Sequence, residues 1–124
     1  MKDFRNLKVW EKSHRLTLDI YGITSRFPRH ELYGLTSQIR RGSASIGANI
    51  AEGCGKRGNS EFQRYLQIAS GSASELDYHL LLSRDLGLIP EPEYKELSKN
   101  LLEVRKMLTS LLQKVDTDRQ MANC

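Results

Sequence analysis

Hydrophobic residues recur at alternating spacings of three and four along four stretches of this chain, the period of an amphipathic helix with one buried face. The first stretch, residues 7–27, places Val9, Ser13, Leu16, Ile20, Ile23 and Phe27 on one side. Pro28 ends it, because the residue before a proline is pushed away from helical geometry. The second, residues 34–53, carries Leu35, Ile39, Gly42, Ile46 and Ile50. The third, residues 60–86, carries Phe62, Leu66, Ala69, Ala73, Leu76 and Leu80. Ser60 and Gln63 have the spacing of a capping box at its start, and Gly87 suits the left-handed position after its end. The fourth, residues 91–115, opens among prolines and glutamates and buries Tyr94, Leu97, Leu101, Val104, Leu108, Leu112 and Val115 along one seam. Residues 116–124 have little to bury and read as a frayed tail. Short connections and the absence of any strand-period stretch predict an all-α, antiparallel up-down-up-down four-helix bundle, one domain over residues 1–124.

The second helix departs from this plan. The fourth has an ordinary solvated side of Lys95, Lys99, Glu103, Lys106 and Lys114, whereas the second has almost none. Beside its core stripe runs a polar stripe, Gln38, Arg41, Ser45, Asn49 and Glu52; the remaining side holds Ala44, Gly47, Ala48 and Ala51, with Arg40 the only large residue. Small residues admit a close backbone, and a free helix surface is usually rich in Lys, Glu and Gln. Gly42 and Gly47 each cost about 1 kcal/mol of helix propensity relative to Ala, which favours close packing as their reason. The helix is expected to be surrounded by partners, one of them a second subunit. For the polar stripe the structural reading is a hydrogen-bonded network with Ser72 and Glu75 of the third helix, within or between subunits, where Glu75 could meet Arg41 or Asn49; the functional reading is a ligand or RNA contact. Glu75 and His79, one turn apart, can pair. Trp10, Thr17, Leu18 and Tyr21 widen the first helix beyond a two-helix contact, as the edge of the core or as a subunit interface.

Composition narrows the function classes. The chain has 124 residues, 39% hydrophobic and 27% charged, a globular balance. No apolar run approaches the roughly 20 residues of a membrane helix, and the N-terminus lacks a signal-peptide core, so the expected location is the cytoplasm with no membrane partner. Cys54 and Cys124 are too far apart in sequence for a disulfide framework and read as two unpaired thiols. His14, His30 and His79 make no metal-ligand spacing, so neither metal nor cofactor is expected. The loop GCGKRGNS lacks the order and the strand context of a phosphate-binding loop and reads as a flexible basic connection. A di-iron bundle needs Glu-x-x-His, which does not occur; Ser72, Glu75 and His79 share one helix and cannot supply an oxyanion hole. No enzyme activity is expected. The net charge of +4 is uneven: residues 1–58 carry 11 Lys and Arg against 5 Asp and Glu. Within that half and just beyond it, Arg40, Lys56, Arg57 and Arg64 are candidate contacts to RNA or DNA.

The segments LKVWEKSHRLTLDIY, FPRHELYGLTSQIRRGSASIGANIAEG and FQRYLQIASGSASEL resemble the small four-helix-bundle proteins encoded within intervening sequences of bacterial 23S ribosomal RNA genes. The likeness covers the first three helices in order and spacing, and the fourth in general pattern. It implies an antiparallel bundle assembled into a homopentameric ring, without established enzyme activity and with a proposed nucleic-acid role. Carried over by position, its motif residues are Trp10, Pro28, Glu31, Gln38, Arg40, Arg41, Ser45, Asn49, Glu52, Gly53, Ser72 and Glu75. The expected function is a non-enzymatic homo-oligomeric module for binding or scaffolding, the alternative a ribosomal-RNA binder whose basic patches repeat around the oligomer.

Overall fold

The computed structural model describes residues 2–122. Four helices make up the bundle: α1 (Lys8–Thr24), α2 (Leu35–Cys54), α3 (Gly58–Asp85) and α4 (Glu91–Ala122). Single 3-10 turns lie at Phe4–Asn6 and Arg29–Glu31, and no described residue is in a strand.

Side-chain contacts fix the direction of every neighbouring pair. Thr24 meets Arg40 and Thr17 meets Ser43, so α1 and α2 run opposite ways. Ser45 meets Ser72 while Gly53 packs on Phe62, which makes α2 and α3 antiparallel. Asp77 pairs with Arg105 and Gln63 bonds Asp116, reversing α4 against α3. Lys12 with Glu103 and Arg26 with Glu93 close the bundle between α4 and α1. The apolar stripes meet in one core. Leu16, Ile20, Ile39, Ile46, Ile50, Leu66, Leu76, Leu80, Leu101, Val104 and Leu108 are all at most 2% exposed. No helix among the described residues is long and apolar enough to cross a membrane.

The helix ends differ from the sequence reading in three places, two for local backbone reasons and one for a tertiary contact. α1 stops at Thr24, a turn before residue 27: Ser25, Arg26 and Phe27 fold back through Ser25 N–H to Tyr21, Arg26 N–H to Ile23 and Phe27 N–H to Thr24. Phe27 still reaches the core at 8% exposure. α3 begins at Gly58, whose φ of 78° needs glycine, and no side chain caps it. The Ser60–Gln63 capping box does not form: Gln63 is buried and instead donates to Asp116 and accepts from Arg119. That same contact accounts for α4, which runs to Ala122 rather than fraying after residue 115, with Val115 4% exposed beneath it; Asn123 and Cys124 lie outside the described residues. Gly87 behaves as expected, with φ 76° and the paired bonds Gly87 N–H to Arg84 and Leu88 N–H to Ser83 of a Schellman ending.

Two glycines should answer oppositely to alanine. A Cβ on Gly53 would stand 2.9 Å from Tyr65 Cβ and 3.1 Å from Phe62 Cδ1, whereas one on Gly71 meets nothing within 4 Å. Gly71→Ala should therefore stabilise by up to about 1 kcal/mol, and Gly53→Ala should destabilise by about 1–3 kcal/mol despite the same propensity gain. Urea unfolding of the two variants measures both; equal responses would contradict the packing described here.

Candidate functional site on the second helix

α2 is the helix whose non-core sides both open onto grooves. Toward α3, Ser45 and Ser72 hydroxyls share a hydrogen bond of 2.9 Å, and Asn49 Nδ2 donates to the Ser45 carbonyl at 2.8 Å and to its Oγ at 3.0 Å. This is the centre of the network expected from the polar stripe. Its outer members do not join it within one chain. Gln38, Arg41, Glu52 and Glu75 are exposed and, among the described residues, make no side-chain hydrogen bond or ion pair. The pairing of Glu75 with Arg41 or Asn49 is thus absent, and so is that with His79, whose Nδ1 is buried without a partner. Arg41, Gln38 and Glu75 instead line a polar groove of about 390 Å³ with Tyr33, Ser37 and the serine pair. A guanidinium and a carboxylate left hydrated in one groove are free to pair with something outside the chain.

Toward α1 the groove is apolar. Gly47 lies under the indole of Trp10, 3.4 Å separating Nε1 from where a Cβ would stand. Trp10 is fixed edge-on by Phe4 at 4.8 Å and stacked on His14 at 5.0 Å. With Tyr21, Ala44, Ala48 and Ala51 these residues line about 400 Å³. Ala44 and Ala48 are exposed, and Tyr21 and Leu18 are 45% and 58% exposed. The small face is therefore open in one chain, and Trp10 is half-buried at its rim.

The four candidate nucleic-acid contacts separate. Arg40 donates to Thr24 Oγ1 at 2.8 Å and to the Tyr21 carbonyl at 3.2 Å, with its guanidinium 4.7 Å from the Tyr21 ring centroid. It binds the C-terminal end of α1, adding a charged donor to the Tyr21 carbonyl that also accepts from Ser25 N–H, so it is a joint between helices rather than a free cation. Lys56 and Arg57 are exposed on the α2–α3 loop. Arg64 pairs with Glu61 at 3.0 Å and lies 4.6 Å from the Tyr65 ring centroid, with Lys56 at 5.7 Å from the same ring. Tyr65 as the aromatic partner of this basic end escaped the sequence reading; its place one position after Arg64 was the available signal. Cys54, at the end of α2, is a buried free thiol whose pKa is pushed up by that burial. Among the described residues no cluster of His, Cys, Asp and Glu is disposed to hold a metal ion.

Several motif positions serve the fold instead of a site. Glu31 Oε1 accepts from Leu35 N–H at 3.5 Å at the start of α2, and Gly53 lets α3 approach. Residues 5–110 match the family described as 23S rRNA-intervening sequence protein. The chain belongs to this family. A solved member of the S23 ribosomal protein family from Bacteroides thetaiotaomicron, described as a protein of unknown function, has the same fold: TM-score 0.79, 27% identity, 85% of this chain and 95% of that one covered. No curated protein matches the chain. The family match spans α1 to α3 and most of α4, so both grooves of α2 lie inside it.

The contact pattern sets which side chains are coupled. A double-mutant cycle on Ser45→Ala and Ser72→Ala should give a coupling of about 0.5–1.5 kcal/mol in unfolding free energy. The same cycle on Asn49→Ala and Glu75→Ala, run on monomeric protein, should be additive within about 0.5 kcal/mol.

Proposed function

We propose that the protein is a non-enzymatic homo-oligomeric module, for binding or scaffolding, whose subunits meet through α1 and α2. The observation that carries this reading is the exposure of Ala44 and Ala48 in an apolar groove rimmed by Trp10 and Tyr21. A helix face meant for water would carry charged residues, and aromatic rims around small-residue floors suit a partner's projecting side chains. The unpaired Arg41 and Glu75 supply complementary charges that a neighbouring subunit can satisfy. The family resemblance makes a five-membered ring the expected closure, and a cytoplasmic location fits the same reading.

Light scattering tests it. The wild-type protein should have a mass several times the 14.2 kDa of one chain at micromolar concentration. Ala44→Glu with Ala48→Glu should return it to the monomer with its helical circular dichroism retained, since exposed substitutions cost within about 0.5 kcal/mol. Trp10 fluorescence should shift to the red as the groove is uncovered. A wild-type mass of one chain would overturn the reading.

A second reading, contact with ribosomal or other nucleic acid, is favoured by the basic end, where Lys56 and Arg57 are exposed beside the Arg64–Tyr65 pair. Repetition by symmetry would multiply these charges. Binding to structured RNA should fall by orders of magnitude between about 50 and 200 mM salt, and should disappear in Lys56→Ala, Arg57→Ala, Arg64→Ala protein. Gel shift or anisotropy at the two salt concentrations measures it; no binding at the lower one leaves the scaffold reading alone.

A further inference from the structure

Neither reading uses the groove between the start of α1 and the second half of α4. Its floor is Leu7, Val9, Met107 and Leu111, and its volume is about 400 Å³. Val9 is buried and the other three are half-buried against the core. Lys8, Lys106 and Lys114 form the rim. All three are exposed and, among the described residues, none has an ion pair or hydrogen bond. The contrast is local: Lys12, one turn from Lys8, is matched by Glu103 at 2.8 Å.

We infer that this groove docks an acidic amphipathic helix of a partner protein, with apolar anchors on Met107 and Leu111 and carboxylates on the three lysines. Charge complementarity selects the sign, since three lysines without an ion pair, of which Lys106 also feels Glu103 one turn away, surround an apolar strip and no carboxylate lines it. Length suits the form: Lys106 and Lys114 are eight residues apart on α4, about 12 Å at 1.5 Å per residue, enough to flank anchors at i, i+4 and i+7, which span about 10.5 Å on a helix lying in a groove. Nucleic acid suits it less, because phosphates over the strip would cover apolar surface without stacking on it. A membrane suits it less too, because interfacial insertion needs apolar side chains that project, and Leu7, Met107 and Leu111 are half-buried against the core.

The probe is a fluorescein-labelled peptide of about 18 residues, long enough to hold some helix alone, with leucines at the anchor spacing flanked by glutamates. A second peptide carries lysine at every glutamate position. The acidic peptide should bind and the basic one should not. Lys106→Gln with Lys114→Gln, surface changes whose folding is checked by circular dichroism, should weaken binding about tenfold. In methyl-labelled protein the Met107 resonance should shift, while Met121, 71% exposed and farther along α4, should not. Four results overturn the proposal: no binding of the acidic peptide, equal binding of the basic one, displacement of the peptide by laurate at equal concentration, which assigns the groove to a small amphiphile, or a change of oligomer mass in the double Gln variant, which assigns it to a second copy of the chain.

Discussion

How near its neighbours can come to α2 is set by glycine, and the rest of the bundle follows from that spacing. Gly53 brings α3 close enough for Phe62 and Tyr65 to touch its backbone, Gly42 faces Leu76 with room for little more than a Cβ, and Gly47 accepts the edge of Trp10. These three sit at different angles around one helix, so α2 is approached on two sides at once. Close approach raises the number of dispersion contacts each core side chain makes, and here it compensates for the weak helix propensity of the glycines themselves. The isoleucines of α2 are fully buried as a result, and the cost of truncating any of them falls in the range of about 2–5 kcal/mol typical of a core that cannot collapse.

The same closeness explains which polar groups pair. Ser45 and Ser72 are short, so their hydroxyls meet only because the α2 and α3 backbones are near; Asn49 then folds back onto its own helix to use the remaining capacity of Ser45. Longer side chains one turn further out, Arg41 and Glu75, point past this contact into water. An exposed pair gains little from mutual attraction after the entropy of holding two long chains, so nothing draws them together within one subunit. Arg40 behaves differently because its targets are fixed, a hydroxyl and a carbonyl at the end of α1.

Much of this was legible from spacing alone. The four core stripes, the order of the helices and the left-handed Gly87 follow from local rules, although the same-helix pairing of Glu75 with His79 did not form. Local rules also failed where another element competed for the side chain. Gln63 had the spacing of a cap but was claimed by Asp116 and Arg119, and that contact extended α4 through a stretch whose composition suggested fraying. Arg40 looked like a lone cation on a small face because the carbonyls it serves belong to α1, sixteen and nineteen positions earlier in sequence. For α2 the residue types announced two unusual faces, yet periodicity could not tell whether the second chain element against each face came from the same molecule.

The proposed association of subunits rests on the asymmetry of the surface. α4 shows water a mixture of charges, several of them matched, as Lys12–Glu103 and Arg105–Asp77 are across its two edges. α2 shows alanines on one edge and an unmatched guanidinium on the other. Association through α1 and α2 removes the apolar surface from water and leaves the hydrated side of α4 where it is, so a ring built this way would carry α4 outward. The lysine-rimmed strip shares the start of α1 with that contact but opens on its α4 side, and each subunit would offer its own copy. Several equivalent weak sites on one assembly act together by effective concentration, which would give such an assembly a way to hold a partner that presents several acidic helices.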